Sequence, residues 1–109
     1  FYHGLVLGLI VDLEGKYHIS SNRESGFGRY DVILEPLQER YDAIVLEFKV
    51  QNPAKEESLE KTVENALRQI EEKNYDMELL MRGIAKERIR HYGFAFCGKK
   101  VLIGSDQVD

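Results

Sequence analysis

The chain has 109 residues, enough for one hydrophobic core and too few for two, since domains cluster around ~100 to 150 residues. With 43% hydrophobic residues, 31% charged residues and two prolines, the composition is that of a globular chain, which excludes disordered, collagen-like and disulfide-stapled classes. The net charge is −4, and the longest apolar run, Leu5 to Val11, falls far short of the ~20 residues a membrane-spanning helix needs.

A single cysteine, Cys97, excludes a multi-cysteine zinc cluster within the chain and points to a reducing, cytoplasmic compartment. The apolar start lacks the positive flank and cleavage site of a signal peptide. No methionine precedes Phe1, so we expect a piece of a longer chain. The charge is unevenly spread. Residues 55–78 hold eight acids against four bases and account for the whole −4, whereas residues 82–100 carry six bases (Arg82, Lys86, Arg88, Arg90, Lys99, Lys100) opposed only by Glu87. A polyanion can therefore be met locally, although the same cluster also reads as a solvated surface that offsets an acidic helix.

In chain order, Phe1 to about Leu13 is apolar with two glycines and is expected to be a helix, although its pattern also suits a strand. Tyr17 to Ser21 reads as a strand entering the glycine-punctuated loop Glu24-Ser25-Gly26-Phe27-Gly28. The next strand, Arg29 to Glu35, stops at Pro36, which cannot donate to a sheet ladder. Tyr41 to Val50 is the most strand-like stretch, and its closeness to the preceding strand makes a hairpin the natural pairing. From Ser58, an expected N-cap, Leu59, Val63, Ala66, Leu67 and Ile70 recur at helical spacing. Asp76 to about Gly83 supports a short helix, and His91 to Phe96 with Val101 to Ile103 reads as closing strands around Gly98. This order predicts an α/β chain with a mixed sheet covered by helices on both faces.

The third strand carries the informative pattern. Alternation sends Ile44, Leu46, Phe48 and Val50 to one face and Ala43, Val45, Glu47 and Lys49 to the other. An acid and a base thus project together from a strand that reads as central, where burying ions without partners costs several kcal/mol each. Centring the hairpin near residue 39 sets Asp31 opposite Glu47, with Cβ atoms ~4.5 to 5.5 Å apart. Two carboxylates so close call for a cation between them, and hard oxygen donors suit Mg2+ or Mn2+. Lys49, one ladder step away, is then placed to meet a phosphate oxygen. The competing expectation is an ordinary ion pair of Asp31, Glu47 and Lys49 on the solvated face of an edge strand. Cys97 is expected beside Phe96 in the core, Tyr75 to close the helix stripe, Arg29 to brace Glu24 or hold a phosphate, and His3 to be structural or a proton carrier.

The segment Ser21-Asn22-Arg23-Glu24-Ser25-Gly26-Phe27-Gly28-Arg29-Tyr30-Asp31, then Glu47-Phe48-Lys49, then Ala66-Leu67-Arg68-Gln69-Ile70 with Tyr75, resembles the PD-(D/E)XK nuclease superfamily over nearly the whole chain. More narrowly it is similar to the branch found C-terminal to AAA-ATPase-like domains. The resemblance implies a restriction-endonuclease-like α-β-β-β-α-β core and a single nuclease-like domain over 1–109, at the C-terminal end of a longer protein. It implies Asp31, Glu47 and the backbone carbonyl of Phe48 as ligands of Mg2+ or Mn2+, Lys49 as the catalytic lysine, and Gln69 near the site. Read without the family, Gln69 is an ordinary polar helix position. The partners implied are nucleic acid, DNA first, an AAA-ATPase-like domain in the same chain and a second copy, with no membrane. Tyr30 replaces the family's nominal proline, and the acid that relatives place just ahead of the pair matched by Tyr2-His3 would fall before Phe1. The functions implied are metal-dependent hydrolysis of phosphodiester bonds or, alternatively, a catalytically inactive module that binds nucleic acid or packs on the ATPase-like domain.

Overall fold

A computed structural model of the chain describes residues 2–23 and 29–106. The elements follow the expected order: α1 (Tyr2–Leu13), β1 (Tyr17–Arg23), β2 (Arg29–Pro36), β3 (Ala43–Val50), α2 (Leu59–Lys73), α3 (Tyr75–Met81), β4 (Ile89–Cys97) and β5 (Lys100–Ser105), with a 3-10 turn at Lys86–Arg88 before β4. The strands form one sheet in sequence order, β1-β2-β3-β4-β5. All neighbours are antiparallel except β3 and β4, which run parallel. A parallel pair needs a crossover connection, and α2 with α3 supplies it. The architecture is the mixed, helix-covered α/β sheet predicted from the pattern.

Each face of the sheet has its own apolar layer. Tyr17, Val32, Leu34, Leu46, Phe48 and Phe96 form one core, against which Leu9 and Leu13 of α1 pack. Ala43, Val45 and Ile89 form the other with Ile70 of α2 and Leu79 of α3. Asp31 and Glu47 alternate onto this second face, and both are 0% exposed. β3 is the central strand, so the expectation of a solvated ion pair at a sheet edge is overturned.

Local chemistry explains the boundaries. The Ser58 side chain accepts a hydrogen bond from the Lys61 backbone N–H, capping α2 as expected. Asn74 ends α2 at φ 52°, ψ 46°, a left-handed conformation that asparagine tolerates better than most residues. The chain therefore turns at once into α3, and Lys73 and Tyr75 flank the break. Cys97 corrects an expectation. It is exposed, because β4 ends there and the chain reverses through Gly98.

Candidate functional site

Register partners line up across the whole sheet: Asn22 on β1, Asp31 on β2, Glu47 on β3, Gly93 on β4 and Gly104 on β5. The next row places Arg29 opposite Lys49. An acidic row thus lies beside a basic one on the face that α2 covers. The pairing of Asp31 with Glu47 is the one predicted from the hairpin. Two unit charges at roughly 5 Å repel by on the order of 3 kcal/mol at an effective dielectric near 20, so a buried pair of this kind demands a cation.

The chain itself provides one. The Lys73 ammonium donates to Asp31 Oδ2 at 3.0 Å and lies 3.6 Å from Glu47 Oε1. The Tyr75 hydroxyl donates to the same Asp31 oxygen at 2.8 Å. Burial first, and then the Asp31 carboxylate, push the Tyr75 hydroxyl up to about 12, so it stays protonated and remains a donor. Asp31 Oδ1 is buried and has no hydrogen-bond partner among the described residues. Tyr75 meets the apolar layer under α2, as expected from sequence, and also serves the acid. Its ring packs against that layer while its hydroxyl reaches the acid. Neither Lys73 nor this role of Tyr75 was foreseen, because both contacts span more than forty residues of chain and depend on the left-handed break at Asn74.

Lys49 projects onto the same face but is bound to a third acid. Its ammonium lies 2.9 Å from both carboxylate oxygens of Glu56. Glu56 is 2% exposed, and it also accepts from the Asn52 N–H at 2.8 Å, the Thr62 hydroxyl at 3.2 Å and the Asn65 amide at 2.6 Å. Burial alone would raise the Glu56 carboxyl, but the Asn52 N–H, Lys49 and Asn65 outweigh it and hold the group at about 2. Glu56 was missed because it sits in the connection before α2, outside any periodic pattern. Its only sequence signal is an acid seven residues after a lysine on a buried strand.

The remaining expected residues fall at varied distances from this centre. Gln69 lies one turn before Lys73 on α2, and its amide donates to Glu72 at 3.1 Å. The Phe48 ring is buried in the opposite layer, so only the backbone of that residue belongs to the acidic side. Arg29 carries a buried Nε with no hydrogen-bond partner among the described residues. The side chain of His3 and the loop with Glu24 lie outside the described residues. A separate polar cluster joins β4, α3 and the residue after β5: His91 lies 2.7 Å from Asp76 and 2.8 Å from Asp106. Burial alone would lower the imidazole, but the two carboxylates raise it.

The donor set at Asp31 and Glu47 fits a hard divalent ion. Both are buried carboxylates, both meet the Lys73 ammonium, and one Asp31 oxygen is left unbonded by the described residues. No third His, Cys, Asp or Glu joins them among the described residues.

Comparison with known proteins accords with this geometry. The chain matches the PD-(D/E)XK nuclease superfamily over residues 1–106. No curated protein matches it significantly, and no solved structure does. The match spans nearly the full length, and the chain belongs to the PD-(D/E)XK nuclease superfamily.

Proposed function

We propose that this member of a nuclease superfamily hydrolyses phosphodiester bonds of nucleic acid, with Asp31 and Glu47 holding Mg2+ or Mn2+ and the Phe48 carbonyl adding a backbone ligand. The observation that carries the reading is the burial of two register-paired carboxylates that both meet the Lys73 ammonium. A divalent ion held there supplies Lewis-acid polarisation of the scissile phosphate. The chain contributes the rest. Lys49 and its register partner Arg29 present positive charge one ladder step from the acids, where it offsets charge developing on the phosphate. Glu56 fixes the Lys49 side chain in one position. Gln69, on the helix above, orients substrate.

The test is cleavage of plasmid and oligonucleotide substrates with Mg2+ or Mn2+ against chelator. Lys49→Ala should lower the rate by on the order of 100-fold or more while circular dichroism stays native. Undiminished cleavage by a folded Lys49→Ala variant would remove Lys49 from the chemistry.

A second reading, a module that binds nucleic acid without cutting it, is favoured by the engagement of Lys49 with Glu56 and by the convergence of only two acids among the described residues. It gives salt-sensitive binding with no product under either metal. Under both readings the partners proposed are DNA, an AAA-ATPase-like domain preceding this one in a longer cytoplasmic protein, and a second copy.

A further inference from the structure

Lys73 is the last residue of α2, and its ammonium stands against both acids. Its side chain is 18% exposed, so it has a way out to solvent, whereas the carboxylates it touches have almost none. The neighbouring Asn74 ends the helix, and the hydroxyl of Tyr75 shares the Asp31 oxygen that Lys73 uses. A metal ion held by Asp31 and Glu47 would need the space and the charge compensation that this ammonium now supplies.

We infer that Lys73 is a built-in counter-cation of the carboxylate pair, held between Asp31 and Glu47 while the protein is metal-free and withdrawn toward solvent when a divalent ion binds. The inference rests on the reading that these two acids hold a metal, and it adds a regulation of that site. The protein folds without accumulating buried like charges, and the ion must compete with the chain's own lysine. Apparent metal affinity is then reduced by the fraction of molecules in which Lys73 is withdrawn. The lysine sets the metal concentration at which the site fills, and Tyr75 keeps Asp31 oriented as the cation changes.

The experiment is a calorimetric titration of Mn2+ into the wild-type chain, Lys73→Met and Asp31→Asn, with thermal unfolding of each in chelator. Lys73→Met should bind Mn2+ with an apparent Kd lower by roughly tenfold or more. It should also unfold below the wild type in chelator and recover with Mn2+. Equal or weaker Mn2+ binding by Lys73→Met, with binding abolished in Asp31→Asn, overturns the counter-cation while leaving the metal site standing. Absence of Mn2+ binding in every chain overturns both. A second measurement needs no variant: amine-selective labelling of the wild type, read by mass spectrometry. Labelling of Lys73 should rise several-fold at saturating Mn2+ while the exposed Lys55 stays constant. Unchanged labelling of Lys73 in metal-saturated protein overturns the inference even if Lys73→Met does not fold.

Discussion

Glu56 shows how one side chain can hold a site in place without belonging to it. Among the described residues, four groups donate to its two oxygens, one from the loop, one from β3 and two from successive turns on one face of α2. Removing one partner of such a buried pair strands the other, at a cost of roughly 3–5 kcal/mol. The carboxyl sits at about 2 instead of its ordinary 4.5, which corresponds to on the order of 3 kcal/mol of linked stability. Because the folded value is the lower one, that stability is present above the ordinary value and is lost as pH falls toward 2. Glu56→Gln should therefore unfold at lower urea concentration than the wild type at neutral pH, by about 3 kcal/mol, and the gap should narrow by about pH 3. Urea titrations at the two pH values check this, and a gap that is the same at both would show that the charge of Glu56 contributes nothing. Loss of Glu56 should also release Lys49, which couples stability to the proposed chemistry.

At the scale of elements, the approach of α2 to the sheet decides where its last residue arrives. Gly93 and Gly104 end the row that starts with Asn22 and Asp31, and they let the helix come close. A Cβ on Gly93 would meet Ala66 Cβ and the Val63 carbonyl oxygen, each at 3.1 Å, and neither can swing aside because both are fixed to the helix backbone. Gly93→Ala should destabilise the fold by about 1–3 kcal/mol through overpacking. It should also move α2, and with it Lys73, away from Asp31. Chemical denaturation together with the Lys73 labelling rate measures both effects, and a variant as stable as the wild type with unchanged labelling would contradict the close-packing argument. The helix, its Ser58 cap and its stripe were readable in sequence, since capping and a 3.6-residue period are local. A second short helix from Asp76 was readable too, but the left-handed conformation at Asn74 that separates the two was not, because it leaves no periodic trace.

For the whole molecule, topology brings distant segments to one place. The hairpin β2–β3 sets Asp31 against Glu47, and this register was legible because a short connection and a two-residue period fix it. The parallel crossover then returns the C-terminal end of α2 over β2, so the cation between the acids comes from 42 residues away. Composition and spacing carry no record of that crossing, which is why Lys49 was foreseen at the acids and Lys73 was not. The charge imbalance acquires a structural sense as well: the acidic surplus of residues 55–78 lies on the helical layer, while Arg29 and Lys49 stand on the sheet beneath it. The most direct test of whether Asp31 and Glu47 form a metal site is calorimetric titration of Mn2+ into the wild type and into Glu47→Gln, which removes one carboxylate and nearly preserves its shape. We expect a saturable site in the wild type that weakens by at least about tenfold, or about 1.4 kcal/mol, in the variant. Identical binding isotherms for the two proteins would show that the ion, if held at all, is held elsewhere, and the nuclease chemistry assigned to this row of the sheet would fall.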